Sequence, residues 1–80
     1  MILNSPILLH KLQVGQSGLL KCQVKSQPSL EQQRLEELGF VDGAQVKLLR
    51  KGPMGSPLLF EISGTKIGIR REEAAWFEVI

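Results

Sequence analysis

The sequence predicts a mainly β domain: a small, strongly bent sheet or barrel of about five short strands, with one inserted α-helix and short helical turns near each end. Three observations carry this expectation. Apolar and polar residues alternate with period two in several short stretches. One stretch with helical spacing and a capping signature interrupts them. Glycine and proline turns punctuate the rest. The chain has 80 residues, 42% of them hydrophobic. That length predicts one domain spanning residues 1–80, burying only about 60–65% of the surface its unfolded form exposes.

Taken in order, Ser5-Pro6 is expected to open a short helical turn, serine as N-cap and proline at the first helical position. Leu8, Leu9 and Leu12 would form its apolar side, and Gly15 would end the approach to a strand. From Leu19 to Lys25 the chain alternates, with Leu20, Cys22 and Val24 on one face and Lys21, Gln23 and Lys25 on the other. Pro28-Ser29 breaks that strand. Ser29 with Gln32 three residues on is a capping box, so a helix should run from about Leu30 to Leu38, its apolar stripe made by Leu30, Leu35 and Leu38. Gly39 suits a left-handed C′ position, and Phe40 after it can fold back on Leu35 as in a Schellman motif. Asp42-Gly43 turns the chain.

Three strands are expected next. Ala44 to Lys51 places Val46 and Leu48 inward and Lys47 and Leu49 outward; Leu58, Phe60 and Ile62 share one face of the second, and Ile67 and Ile69 one face of the third. Ser63-Gly64 is short enough for a two-residue hairpin turn. The connection from Gly52 to Pro57 is too rich in glycine and proline for regular structure. Arg71 to Ala75 reads as one helical turn, and Trp76 to Ile80 as a last strand.

Composition excludes several functions. A single cysteine, Cys22, makes no internal disulfide, and with a single histidine, His10, it cannot form a four-ligand structural zinc site of the Cys/His type. No apolar run approaches the roughly 20 residues of a membrane span, and no secretory leader is evident; a cytoplasmic domain is expected. The net charge of +2 is unevenly placed. Residues 1–25 carry +3, residues 26–42 carry −3, residues 43–71 carry +5 and residues 72–80 carry −3. Such segregation suggests electrostatic steering of a partner.

Reactive groups are scarce. The neutral-pH base is His10, set near a terminus expected to be mobile, and Cys22 lies on an inward strand face, so no catalytic residue is assigned. Glu36-Glu37 and Glu72-Glu73 are neighbours in sequence, which on a helix do not share a face, and read as solvated charges. No phosphate-binding glycine motif occurs. No metal ligand or cofactor site is assigned either, although an intersubunit or adventitious metal at His10 stays open. Lys47, Arg50, Lys51, Lys66, Arg70 and Arg71 could track a nucleic-acid backbone. Their strands lack exposed aromatics for stacking, and the glutamates oppose a polyanion; nucleic acid is not the expected partner. The Gly52–Pro57 loop is either a plain hairpin connection or a rigid knuckle offering Met54 and Leu58 to a partner.

The run Arg34-Leu35-x-x-Leu38-Gly39-Phe40-x-x-Gly43-x-x-Val46 resembles the central signature of the ferrous iron transport protein A family (FeoA). Leu9-x-x-Leu12-x-x-Gly15-x-x-Gly18 resembles that family's start. Pro53-Met54-Gly55-Ser56-Pro57-Leu58 resembles its Pro-x-Gly-x-Pro loop, and Ile69-Arg70-x-x-x-Ala74 its close. Val14 stands where proline is common, and Trp76-Phe77 replaces less bulky residues. The resemblance implies a bacterial, cytoplasmic SH3-like β-barrel that acts as an accessory or regulatory protein with FeoB, a membrane Fe(II) transporter carrying a cytoplasmic GTP-hydrolysing domain. It implies membrane contact through the transporter only. Candidate partner contacts are Leu9 and Leu12 in the opening turn, Arg34 on the helix, and Met54 and Leu58 in or beside the loop; ordinary packing is the competing role for Leu9 and Leu12. An arginine acting in trans on bound GTP is a weaker reading. The same barrel occurs fused to metal-dependent repressors, so an interaction module of that type, a small nucleic-acid-binding barrel and self-association stay open as alternatives.

Overall fold

The computed structural model describes residues 6–22 and 29–80. Along them run β1 (Ile7–Leu8), a 3-10 turn (Leu9–Lys11), β2 (Ser17–Cys22), α1 (Leu30–Glu37), β3 (Gln45–Lys51), a second 3-10 turn (Pro53–Gly55), β4 (Leu58–Ile62), β5 (Thr65–Ile69), α2 (Arg71–Ala74) and β6 (Phe77–Val79). The strands form one antiparallel six-stranded sheet in the order β1-β6-β2-β3-β4-β5. All five expected strands are present. The additional one is β1, where Ile7 pairs with Val79 and Leu8 with Glu78. Leu8 therefore extends the sheet instead of packing in a helical turn, and the turn itself begins one residue later. The expected cap at Ser5 and the strand residues Gln23 to Lys25 lie outside the described residues.

The pivot of the sheet is β2. Its first half pairs with β3, Ser17 opposite Lys47, and its second half with β6, Leu20 opposite Val79. Backbone bonds from Gly15 N–H to the Leu48 carbonyl (2.8 Å) and from Leu48 N–H to the Gln16 carbonyl (3.0 Å) extend the first ladder backwards. At Gly18 the chains pass so closely that a Cβ would lie 2.8 Å from the Ile80 carbonyl oxygen and 2.9 Å from Val79 Cγ2. Glycine is the residue that lets β6 and β3 flank β2 there. Between Leu48 and Arg50 the β3–β4 register slips by one, a bulge that bends β3. The bend ends the strict alternation: Leu49 is half-buried, not fully outward. Ser63 and Gly64 both take positive φ (50° and 77°), as a two-residue type I′ hairpin requires.

The capping box of α1 forms as its sequence predicts. Ser29 Oγ accepts the Gln32 N–H at 3.2 Å, and Gln32 Oε1 accepts the Ser29 N–H at 3.0 Å. At the other end Gly39 has φ +115°. Its N–H donates to Glu36 and that of Phe40 to Leu35, both at 3.0 Å, which is the Schellman pattern. The apolar stripe is narrower than expected. Leu35 is fully buried, but Leu30 is 82% and Leu38 45% exposed. Leu30 is the first residue of a helix only two turns long and lies short of the core, so α1 is anchored by Leu35 and, through the Schellman turn, by Phe40.

One hydrophobic core joins these elements. Leu20, Val46, Leu48, Leu58, Phe60, Ile62, Ile69, Phe77 and Val79 face it from the sheet; Leu9, Leu12, Leu35, Phe40 and Ala74 close it. Phe40 is its hub, edge-on to Phe60 at 6.2 Å between ring centroids and tilted against Phe77 at 5.7 Å.

Candidate partner-binding surface

The five expected contact residues separate into two groups. Leu9 and Leu12 are 0% exposed and Leu58 is 1% exposed. Leu9 opens the 3-10 turn and Leu12 follows it; both are buried in the core, and Leu58 opens the inward register of β4. None has surface to offer, and packing is their role. Arg34 and Met54 are exposed, at 65% of the side chain and 98% of the residue.

Arg34 lies over α2. Its guanidinium Nη2 is 3.6 Å from Glu73 Oε2, an ion pair too long for a direct hydrogen bond. Glu73 is the one charged residue of the described chain that is buried, at 3%. Its Oε1 accepts the Arg70 N–H at 2.9 Å and lies 3.6 Å from Arg70 Nε. Arg70 in turn reaches Glu31 of α1 at 3.8 Å. Two short helices, far apart in sequence, are thus joined by a chain of alternating charges centred on one buried carboxylate. This corrects the reading of Glu72-Glu73 as a solvated pair: Glu72 is exposed, whereas Glu73 faces inward beside buried Ala74. The available signal was its place three residues after Arg70, where a glutamate reaches back to the N–H that begins a helix.

The second feature is the β3–β4 connection. The Pro53–Gly55 turn is not a continuous helix, because Met54 has φ 59° and ψ 24°. Beneath it Arg50 is opposite Leu59, and Leu59 is opposite Gly68. With no side chain at Gly68, this row opens a shallow groove of about 430 Å³ lined by Arg50, Lys51, Gly52, Pro53, Pro57, Leu59 and Gly68. Gly52 is required by the loop: a Cβ there would sit 2.6 Å from the Ser56 carbonyl oxygen and 2.8 Å from the Pro57 nitrogen. The loop is tied to α2 where Ser56 Oγ accepts the Arg71 N–H at 3.3 Å.

His10 lies within the first 3-10 turn, which packs against α2 and β6, and so is not on a loose end. Its Nδ1 is buried without a hydrogen-bond partner among the described residues. Burial, and then the charges of Arg71, Lys11 and Lys51, hold its pKa below the usual 6.5. The unfolded chain therefore binds a proton that the folded chain does not, in the window between 6.5 and that lower value. Stability contributed here is complete above the unfolded pKa and is lost as pH falls through the window. Urea unfolding at pH 7.5 and 5.5 should show a loss in the wild type that His10→Gln reduces; equal losses in both would contradict the assignment. Among the described residues no group of three or more His, Cys, Asp or Glu is placed to hold a metal ion.

The chain matches a known family model, the FeoA domain, over residues 7–79. The chain belongs to the FeoA family. FeoA from Chlorobium tepidum is 32% identical and superposes with a TM-score of 0.79, covering 92% of this chain and 70% of that one. FeoA from Stenotrophomonas maltophilia, solved with zinc, is also 32% identical (TM-score 0.78, 92% of this chain and 89% of that one). That protein is described as a prokaryotic SH3 domain protein and proposed as a bacterial ferrous iron transport activating factor. The fold is accordingly SH3-like. A manganese-dependent transcriptional repressor matches with a TM-score of 0.79 but 12% identity, over 94% of this chain and 41% of its own, and shows a shared fold alone. No curated protein sequence matches the chain.

Proposed function

We propose that this chain is a non-enzymatic accessory factor of bacterial ferrous iron uptake. It docks on the cytoplasmic side of a FeoB-type Fe(II) transporter and biases that transporter's conformation or nucleotide cycle. The observation that carries this reading is the FeoA domain match across residues 7–79, the whole described barrel. The name given to the Stenotrophomonas relative, a transport activating factor, supports it. No helix of the described residues is long and apolar enough to cross a membrane.

Arg34 is the transporter contact in this reading. It is largely exposed, yet its guanidinium is drawn toward buried Glu73. The exposed apolar residues Leu30, Leu38 and Val41 belong to the same helix and the turn after it. An arginine restrained before binding loses less side-chain entropy on docking than a free one. In cells lacking the chain, restoring it should raise radioactive Fe(II) uptake. Arg34→Glu should restore less than half of that gain, and Arg34→Gln, which sets no like charge beside Glu73, should also fall short of the wild type while unfolding at the wild-type urea concentration. Full restoration by Arg34→Glu would remove Arg34 from the interface, and uptake indifferent to the chain itself would overturn the function.

A further inference from the structure

We propose that the Met54 loop is a membrane-surface contact, resting on anionic lipid headgroups with the methionine side chain inserted among them. This goes beyond the transporter reading and does not depend on it: contact with lipid is direct, in place of contact through the transporter alone.

Three observations converge on the loop. The first is Met54 itself, 98% exposed at the tip between Pro53 and Gly55. A lone exposed apolar residue is ordinary, but this one occupies the left-handed region (φ 59°, ψ 24°), where glycine and asparagine are the usual residues. A long apolar side chain held in that conformation, on a loop stiffened by Pro53 and Pro57, is presented outward with nothing of its own fold to pack on.

The second is the charge at the base. Arg50 and Lys51 line the groove under the loop. Arg71 is bonded to the loop through Ser56 Oγ. Lys51, Arg71 and Lys11 all bear on His10. None of Lys11, Arg50, Lys51 and Arg71 forms an ion pair among the described residues, in contrast to Arg34 and Arg70. Glu72, next to Arg71 in sequence, is exposed. Glu61 is elsewhere, across the sheet from Lys47 and Lys66.

The third is shape. The apolar element is a convex tip above a cationic base, with Leu59 and the prolines beneath it. An acidic protein would be gripped by the groove and leave the tip in water. A lipid interface takes both parts, because binding there scales with inserted apolar area plus attraction of cations to anionic headgroups.

Sedimentation with lipid vesicles tests this on the whole chain without any transporter. Vesicles containing phosphatidylglycerol should carry the protein down, pure phosphatidylcholine vesicles should not, and high salt should release it. Lys51→Gln should weaken binding about fivefold, the effect of one cation near an anionic surface. Met54→Asp should weaken it by more than Met54→Ala, with all three variants unfolding as the wild type does. Absence of sedimentation, equal binding to both vesicles, or wild-type binding by Met54→Asp would overturn the proposal. So would polyglutamate displacing the protein at concentrations where salt of equal charge does not, which would give the face to an acidic protein. Vesicle sedimentation should be unchanged in Arg34→Gln, which removes the transporter contact, so failure here is distinct from failure of the transporter reading.

Discussion

Phe40→Ala should cost about 3–5 kcal/mol of folding stability, the largest effect of any single truncation in the chain. The ring is fully buried between Phe60 and Phe77. It also sits directly after the Schellman glycine, so it fastens the end of α1 to the sheet. Domains of this size have about 4–12 kcal/mol in total, at 0.05–0.15 kcal/mol per residue. The variant should therefore be unfolded in a substantial fraction of molecules at growth temperature. Urea unfolding with near-ultraviolet circular dichroism measures this. A loss below about 1.5 kcal/mol would mean that the site collapses around the cavity and that Phe40 is not the hub.

Glu73→Ala should cost about 2–3 kcal/mol, unusual for a glutamate. The change leaves the Arg70 N–H without its acceptor, which alone costs about 1–3 kcal/mol in a part-buried site. It also opens a small void beside Ala74. The arginine pairs add little, because both guanidinium groups are more than 60% exposed and return to water. Glu73→Gln separates these contributions. Its amide oxygen still accepts the Arg70 N–H, so a loss of about 1 kcal/mol is expected, mostly the weaker neutral hydrogen bond. Equal losses for alanine and glutamine would show that charge, not the backbone bond, holds α2. Arg34 should become more mobile in both variants, visible as faster side-chain relaxation by NMR.

What the sequence revealed and what it concealed follow from the range of the interactions. The hairpin strands were legible because period-two alternation and the Ser63-Gly64 turn are local. So were the capping box at Ser29 and the Gly39-Phe40 stop, each closed by hydrogen bonds within five residues. The inward side of Leu58, Phe60 and Ile62 followed from the same alternation. Leu30 was misread because periodicity reports which face a residue shares, not how far along a short helix the core extends. Leu9, Leu12 and Leu58 were offered as contacts because motif position does not reveal depth.

The charged surface was the least legible. Glu73 differs from Glu72 in sequence only by its place three residues after Arg70, and it is buried because α2 packs against the first 3-10 turn and under Arg34. Likewise, the groove under Met54 exists because Leu59 is paired with Gly68, a match set by the β4–β5 register and by the bulge in β3. The +5 segment split in the fold. Lys47 and Lys66 flank Glu61, Arg70 pairs with Glu73 and Glu31, and the remainder gathers around the loop.

The central claim is that this barrel acts by binding a ferrous iron transporter. Calorimetric titration of the chain into purified, detergent-solubilised FeoB-type transporter with GTP tests it most directly, with GTP turnover followed in the same samples. Saturable binding is expected, weakened at least tenfold by Arg34→Glu, together with a change in turnover or in its dependence on Fe(II). No heat of binding above dilution and unchanged turnover at saturating chain would contradict it.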